Sequence, residues 1–512
     1  MKLKTKILGI EAGGKAIVIL HEEDAEDLGI MSLARVRLQA NGKELTGIVN
    51  VTTKAVSKGF IGVYEEVRSS LNVEENAEID VEVAKFPSSL QFIRSKLKDR
   101  KLNYGEFLEI VKDTVEGNLS EMEIASFVTA LYSFGLDLGE AADLTLAMVD
   151  TGEKLKLNRT CVDKHSIGGV PGDKTTLILV PIIAAAGLTI PKTSSRAITS
   201  ACGTADRAEV LMPVGLDIDE MKGVVNKTNG CIVWGGSLHL APADDIFVKV
   251  EYPLSIDPLL LPSIMGKKMA VGADYVVIDI PCGRGTKIKT IGDAELLAKD
   301  FIELGRKLDI KVQCAITFGE QPIGYAIGPA LEAKEALEVL MRKKAVPDLV
   351  DKATDIADML MGMAGKDKGN TALEIIKSGK AEEKMREIIF EQGGDSEIKP
   401  EDIKIGDFGL DINSEDSGFV LWMSNIGLIE VARAAGSPKD KGAGILLYKK
   451  VGDTVNKGEK IFTIYAEKAR KLERVRKMLE EEKIMGVGKR MEMLIEEVKE
   501  LPVHKKAFIL ER

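Results

Sequence analysis

Aromatic side chains make up only 5% of this sequence, histidines number four, and the formal net charge is −10 rather than positive. A chain so poor in rings is ill suited to stacking bases along a single strand. An overall negative charge offers a polyanion no long-range attraction. Nucleic acid is therefore excluded as a partner, and any anion the protein holds must be caught by local groups. The five cysteines, Cys161, Cys202, Cys231, Cys282 and Cys314, stand apart with no close pair of the zinc or redox type, which fits reduced thiols in a cytoplasmic protein. Long apolar runs are also missing. The longest, "TTLILVPIIAAAGLTI" (175–190), is too short for a bilayer and carries Pro181, so it reads as a buried helix running into a strand. The N-terminal "MKLKTKILGIEAGGK" lacks the apolar core of a signal peptide. Glutamine is scarce while lysine and glutamate abound, a composition of thermophiles. The length of 512 residues calls for three or four domains.

What is present is patterned. Residues 1–86 alternate apolar and polar positions at period two ("KAIVILHEED", "FIGVYEEV"), with an Asn41-Gly42 turn, and predict a small β-barrel-like domain. From 87 to 156 the period becomes helical, with Ser120 and Glu123 spaced as a capping box, and predicts a small helical domain. Residues of about 238–270 belong with it, since "DPLLLPSIMGKKMAVG" is helical and should pack on that layer. Residues 157–237 and 271–432 alternate short β-branched runs with helical stretches, which predicts a mostly parallel α/β domain. Residues 433–512 predict an α+β sandwich-like domain with a helix near 467–483 and a final strand in "KKAFILER". It resembles biotinyl carriers but lacks their Met-Lys-Met attachment tripeptide.

Two turns carry the chemistry. "DKHSIGGVPGDKTT" (163–176) follows a strand and enters the apolar helix. Gly168, Gly169 and Gly172 allow positive φ and close backbone approach, and the helix start presents unpaired N–H groups. Lys164, His165, Ser166, Lys174, Thr175 and Thr176 add donors, so a phosphate-sized oxyanion fits. A nucleotide P-loop does not, because Asp173 stands where glycine should precede Lys174. "KTSSRAITSACGTADRAEV" (192–210) repeats the design, with Ser194, Ser195, Arg196 and Thr199 after a strand and Gly203-Thr204 at a helix start. The planar Arg196 fork suits bidentate phosphate contact. Two such turns on one sheet imply two phosphates, either on a substrate pair or as a phosphorylated substrate plus free phosphate.

These residues are recognisable. "VDKHSIGGVPGDKT" resembles the phosphate-binding stretch of the thymidine and pyrimidine-nucleoside phosphorylase family, with Pro171 inserted. "SSRAITSACGTAD", "SLHLAPADD" (237–245) and "PSIMGKK" (262–268) resemble further family motifs in the same order, and the likeness spans about 88–465. Two departures, the additional N-terminal β-domain and Ala197-Ile198-Thr199 in place of glycines, are similar to the archaeal AMP phosphorylases of that family. The resemblance implies phosphorolysis of AMP, and of other nucleoside 5′-monophosphates such as CMP and UMP. The products would be free base and ribose 1,5-bisphosphate, with no cofactor or metal and with a homodimer, or a larger homo-oligomer, as the assembly.

The resemblance also implies site residues. Lys164, Ser166, Thr176, Ser194 and Thr204 become inorganic-phosphate ligands. Gly168, Ser194, Ser195, Arg196, Ala197, Ile198, Thr199 and Thr204 become AMP contacts. His165 resembles the family's active-site histidine, and Ser263 and Lys267, sharing one helical face, match base-contacting positions. Lys268, on another face, reads as a solvated lysine. Lys287 follows the glycine-rich "PCGRGTK". Asp257 is the proton-donor candidate, since a departing purine needs an acid at a ring nitrogen. An Asp before Pro is equally a turn or helix-cap residue, and the step from Asp257 to Ser263 is shorter than the family pattern. Two other readings stay open at this point. One is a nucleoside-specific pyrimidine phosphorylase and the other a non-catalytic nucleotide-binding assembly protein. Anthranilate phosphoribosyltransferases share the helical layer but use magnesium-diphosphate substrates, and no acidic cluster is placed for that metal.

Overall fold

Alternation at period two closes into a barrel at the N-terminus of the computed structural model, which describes residues 1–197, 200–366 and 371–489. Its strands are β1 (Lys2–Ile7), β2 (Ile17–His21), β3 (Arg35–Ala40), β4 (Lys43–Thr52), β5 (Phe60–Val63) and β6 (Glu78–Val83). They close in the order β1-β5-β2-β4-β3-β6. The inward positions, among them Leu3, Val18, Leu20, Val36, Leu38, Val49 and Ile61, fill one apolar core. Asn41 and Gly42 take positive φ of 52° and 73°, the geometry that a two-residue turn between β3 and β4 demands. Two short helices depart from the strand reading, α1 (Glu22–Asp27) and α2 (Glu65–Leu71). The strands stop at His21 and Val63 because the following Glu-Glu pairs favour a helix N-terminus, and His21 caps the first helix by accepting from Glu23 N.

The helical layer contains α3 (Ser89–Lys96), α4 (Tyr104–Val115), α5 (Glu121–Phe134) and α6 (Leu138–Asp150). Ser120 and Glu123 form both bonds of the capping box. A wholly apolar core surrounds Phe107 and Phe127, and one buried ion pair, Lys96–Glu140 at 2.8 Å, crosses it.

The parallel layer follows with β7 (Val162–Ser166), α7 (Thr175–Ala185), β8 (Ile190–Ser194), α8 (Thr204–Ala208), α9 (Ile218–Thr228) and β9 (Gly230–Trp234). Helix α7 is apolar all round and sits in the middle of the core, as such a helix must. The chain then adds α10 (Pro242–Leu254) and α11 (Leu260–Ala270) to the helical layer, where Phe247 packs on Phe127. It returns through β10 (Tyr275–Cys282), α12 (Ile291–Lys307), β11 (Lys311–Phe318), β12 (Ala326–Ile327), α13 (Pro329–Leu340), α14 (Pro347–Met363), α15 (Ala372–Lys377) and α16 (Lys380–Glu391). Strands β11-β10-β7 and β8-β9 are parallel, and a Cys161–Thr189 bridge joins β7 to β8. The loops after β7 and β8 are therefore neighbours at the carboxyl ends of adjacent strands, where open α/β sheets bind ligands.

The C-terminal elements are β13 (Phe408–Asn413), β14 (Gly418–Met423), α17 (Asn425–Ala435), β15 (Gly444–Leu447), β16 (Thr454–Val455), β17 (Lys460–Ala466), α18 (Ala469–Glu481) and β18 (Met485–Gly488). They form two antiparallel sheets, β12-β15-β17-β13 and β16-β14-β18, with α17 and α18. This sheet system begins before residue 433, because β13 and β14 pair with strands far downstream, and local pattern carries no trace of such pairing. The "KKAFILER" strand lies outside the described residues. Chain contacts divide into two units. One is Met1–Lys156 with His239–Gly272 and Glu303–Asp309, and the other is Leu157–Leu238 with Ala273–Ile302 and Ile310–Arg512. Among the described residues no helix is long and apolar enough to cross a membrane.

Candidate active site

The first turn leaves β7 and reverses into α7. Gly168, Gly169 and Gly172 have φ of 84°, 96° and 75°, a region that favours glycine. At Gly169 a Cβ would also stand 3.0 Å from Lys287 N and Thr286 Cα, so the 283–287 loop lies directly on the turn. Ser166 Oγ accepts from Gly168 N at 3.4 Å. Thr176 is buried, and the buried Thr175 Oγ1 has no hydrogen-bond partner among the described residues. Lys287 is exposed, while His165 is half-buried on β7.

Charges underneath the turn alternate. Lys164 is buried, with its Nζ 3.5 Å from Asp279 Oδ2. That same oxygen is 2.7 Å from Lys352 of α14, and Lys352 reaches Asp173 at 3.5 Å. Thr317 donates to the other Asp279 oxygen at 2.6 Å. Burial by itself would push Asp173 up, yet Lys352 and Lys164 hold its carboxyl well below the usual range. Lys174 departs from the sequence reading. Its amine is buried, donating to the carbonyls of Gly172, Ile323 and Ala326 and pairing with Glu335 at 3.0 Å. A lysine at the helix start is thus spent on holding the loop before β12.

The second turn leaves β8. Ser194 donates to Val233 O at 3.1 Å, and Gly203 precedes Thr204, the first residue of α8. Asp206 gathers the turn, accepting from Ala197 N at 2.8 Å and Gly203 N at 2.9 Å. A Cβ at Gly203 would meet Ala197 N at 2.5 Å and Ser195 O at 2.6 Å, so backbone crosses backbone here. The Arg196 fork is occupied by Glu209, at 2.9 and 2.5 Å, and stacks over Trp234 at 5.0 Å. Hydrogen bonds from Arg196 and Lys441 hold Glu209 at about 2 in spite of partial burial. Ile198 and Thr199 lie outside the described residues. Arg207 ties the two turns together by donating to the carbonyls of Asp173 and Cys202, while its Nε pairs with buried Glu332 at 3.1 Å.

In the helical unit, Ser263 and Lys267 of α11 converge on one carboxylate, Asp244 of α10. Ser263 Oγ donates to Asp244 Oδ2 at 2.9 Å and Lys267 Nζ pairs with the same oxygen at 2.6 Å. Burial lowers the Lys267 pKa, but Asp244 together with Asp245 and Glu251 leaves it raised. Lys268 is 1% exposed, which corrects its reading as a solvated lysine: α11 is covered on that face as well. Asp257 is exposed in the turn before α11, and its carbonyl accepts from Leu260 N at 3.3 Å. Asp245 also reaches solvent, yet the protein packed around its carboxyl raises its pKa, with Asp244 adding and Lys267 opposing.

Sequence reasoning passed over Asp244, Asp206, Lys352, Asp279 and Arg207. The first two stand inside quoted motifs, "APADD" and "GTAD", where a carboxylate among small residues signals a backbone or side-chain clamp. Lys352 comes from an ordinary amphipathic helix, and nothing local marks it.

Residues 90–152 match the glycosyl transferase family, helical bundle domain; residues 158–382 its a/b domain; and residues 423–484 the pyrimidine nucleoside phosphorylase C-terminal domain. An AMP phosphorylase of Thermofilum pendens is 47% identical over 516 residues, covering 100% of both chains. One from Thermococcus kodakarensis is 49% identical over 480 residues, 92% of this chain and 95% of its own. The solved anthranilate phosphoribosyltransferase of Thermus thermophilus shares the fold, with a TM-score of 0.50 and 17% identity over 59% of this chain and 98% of its own.

Proposed function

The chain belongs to the AMP phosphorylase family, and on that premise we propose that it cleaves AMP with inorganic phosphate to adenine and ribose 1,5-bisphosphate. The observation that carries this reading is the pair of turns after the adjacent strands β7 and β8, joined through Arg207. A nucleoside would need one anion pocket; a nucleoside monophosphate reacting with phosphate needs two.

Phosphorolysis breaks the C1′–N bond through a sugar with cationic character while a phosphate oxygen attacks C1′. Positioning and fixed charge supply most of the rate. Lys164, Ser166 and Thr176 are assigned to inorganic phosphate with Ser194 and Thr204. The second turn, Ser194–Thr199 with Thr204, and Gly168 are assigned to AMP. Lys287 is assigned to closing the 283–287 loop on the first turn, and His165 to the ligand side of β7. Ser263 and Lys267 are assigned to the base. The electron pair of the broken bond passes to the base, which is neutralised by a proton on a ring nitrogen. Asp257 remains the assigned donor; Asp245 is the second candidate because the protein packed around its carboxyl raises its pKa. The homodimer, the further substrates CMP and UMP, and a cytoplasmic location belong to the same proposal.

Incubation with phosphate and either AMP or thymidine tests it. Adenine release with a new sugar bisphosphate is expected; thymine release without adenine would replace this reading by the nucleoside-specific one. Tight AMP binding without turnover would make the chain a binding protein.

A further inference from the structure

Asp244 does more than pair with Lys267. It is wholly buried, and its Oδ2 accepts both the Ser263 hydroxyl at 2.9 Å and the Lys267 ammonium at 2.6 Å. A hydroxyl has one proton and two lone pairs. With that proton committed to a carboxylate, which can only accept, Ser263 offers an incoming group nothing but lone pairs. Lys267 keeps 31% of its side chain exposed and has three N–H bonds, so donors remain after the pair is made. The two side chains, one helical turn apart on α11, therefore present an acceptor beside a donor, in a polarity that Asp244 fixes. Asp244 Oδ1 is also buried and lacks a hydrogen-bond partner among the described residues, so Ser263 and Lys267 are the donors this carboxylate has there.

We propose that Asp244 is a positioning residue that sets the hydrogen-bond polarity of the base subsite, restricting substrates to nucleoside 5′-monophosphates whose base carries an N–H beside an acceptor. This rests on the reading that Ser263 and Lys267 face the base. The 6-amino group of adenine beside a ring nitrogen meets the rule, as do the 4-amino group of cytosine beside N3 and N3–H of uracil beside a carbonyl. The subsite is thus tolerant among natural bases and strict toward a base stripped of its donor. A purine without the 6-amino group would leave the Ser263 lone pairs facing carbon, and that loss is costly when water is excluded.

The probe is purine riboside 5′-monophosphate against AMP, each with saturating phosphate, in wild type, Ser263→Ala, Lys267→Ala and Asp244→Ala. Wild type is expected to favour AMP by about 10- to 100-fold in kcat/KM, the range set by one unsatisfied buried group. Ser263→Ala and Asp244→Ala should bring that ratio to within about threefold, because neither keeps an acceptor-only hydroxyl, while KM for phosphate stays unchanged. A wild-type ratio near one, or an Asp244→Ala enzyme slowed equally on both substrates with the ratio intact, overturns the inference and leaves Asp244 a structural residue. Should Asp244→Ala fail to fold, the wild-type and Ser263→Ala ratios decide. Unchanged AMP kinetics in both Ser263→Ala and Lys267→Ala would instead refute the base-facing reading, and the inference with it.

Discussion

Arg207 donates a hydrogen bond to the backbone carbonyl of Asp173, so the helix that ends the second turn holds the floor of the first. The guanidinium is buried with Glu332, and neither charge has an exit to water. Replacing Arg207 by Met leaves Glu332 buried without its ion-pair partner, a loss of about 3–5 kcal/mol. A large fall in melting temperature is expected, with Arg207→Lys intermediate; thermal unfolding followed by circular dichroism measures it.

Lys352 shares itself between Asp279 and Asp173 beneath the first turn. Lys352→Met would leave two carboxylates facing the position assigned to an incoming anion. KM for phosphate should rise at least about tenfold, the effect of one lost charge contact of about 1.4 kcal/mol, while KM for AMP changes little. Initial-rate kinetics with each substrate varied in turn separates the two.

Gly203 has no room for a methyl group, since backbone atoms of Ala197, Arg196 and Ser195 lie within 2.6 Å of the Cβ position. Gly203→Ala must open the second turn. Because Ser194 and Thr204 of this turn are assigned to phosphate as well as to AMP, KM for both substrates is expected to rise, by about tenfold or more for AMP, whereas Lys352→Met affects phosphate alone; initial rates with each substrate varied in turn distinguish the two.

Acid stability should follow Glu335. Burial favours its neutral form, but Lys174 and Lys344 overcome this and hold its pKa at about 2, below the ordinary 4.5. A folded-state pKa that is depressed contributes stability above the unfolded value and loses it as pH falls through the folded one. The contribution, about 3 kcal/mol, is thus complete above pH 4.5 and vanishes toward pH 2. Denaturant midpoints measured from pH 6 to pH 2 should fall more steeply for the native protein than for Glu335→Gln.

Much of this was legible in the sequence because it is local. The Asn41-Gly42 turn, the Ser120–Glu123 capping box and the three positive-φ glycines of the first turn are each set by neighbours a few residues away. What escaped is what distance along the chain hides. Lys174 and Lys268 look like free donors until Glu335 and the packing of the helical layer claim them. Lys352 acquires its role only when α14 folds across β10 and β7. The start of the C-terminal sheet system at β13 likewise follows from partners about fifty residues downstream. Asp257 is singled out by chemistry that any exposed carboxylate before a proline satisfies, whereas the raised pKa of Asp245 comes from the protein packed around its carboxyl, which no local pattern marks.

That pair gives a further test. If Asp257 protonates the base, Asp257→Asn lowers kcat by about 100-fold or more with KM for AMP unchanged, while Asp245→Asn is mild. The opposite pattern assigns the proton to Asp245.

Simultaneous occupancy of the two turns by two phosphates is the core of this account, and initial rates over a grid of AMP and phosphate concentrations test it most directly. Intersecting double-reciprocal lines, saturable in both substrates and with neither inhibiting the other, are the predicted result. Phosphate acting as a competitive inhibitor against AMP would mean a single shared anion pocket and would contradict it.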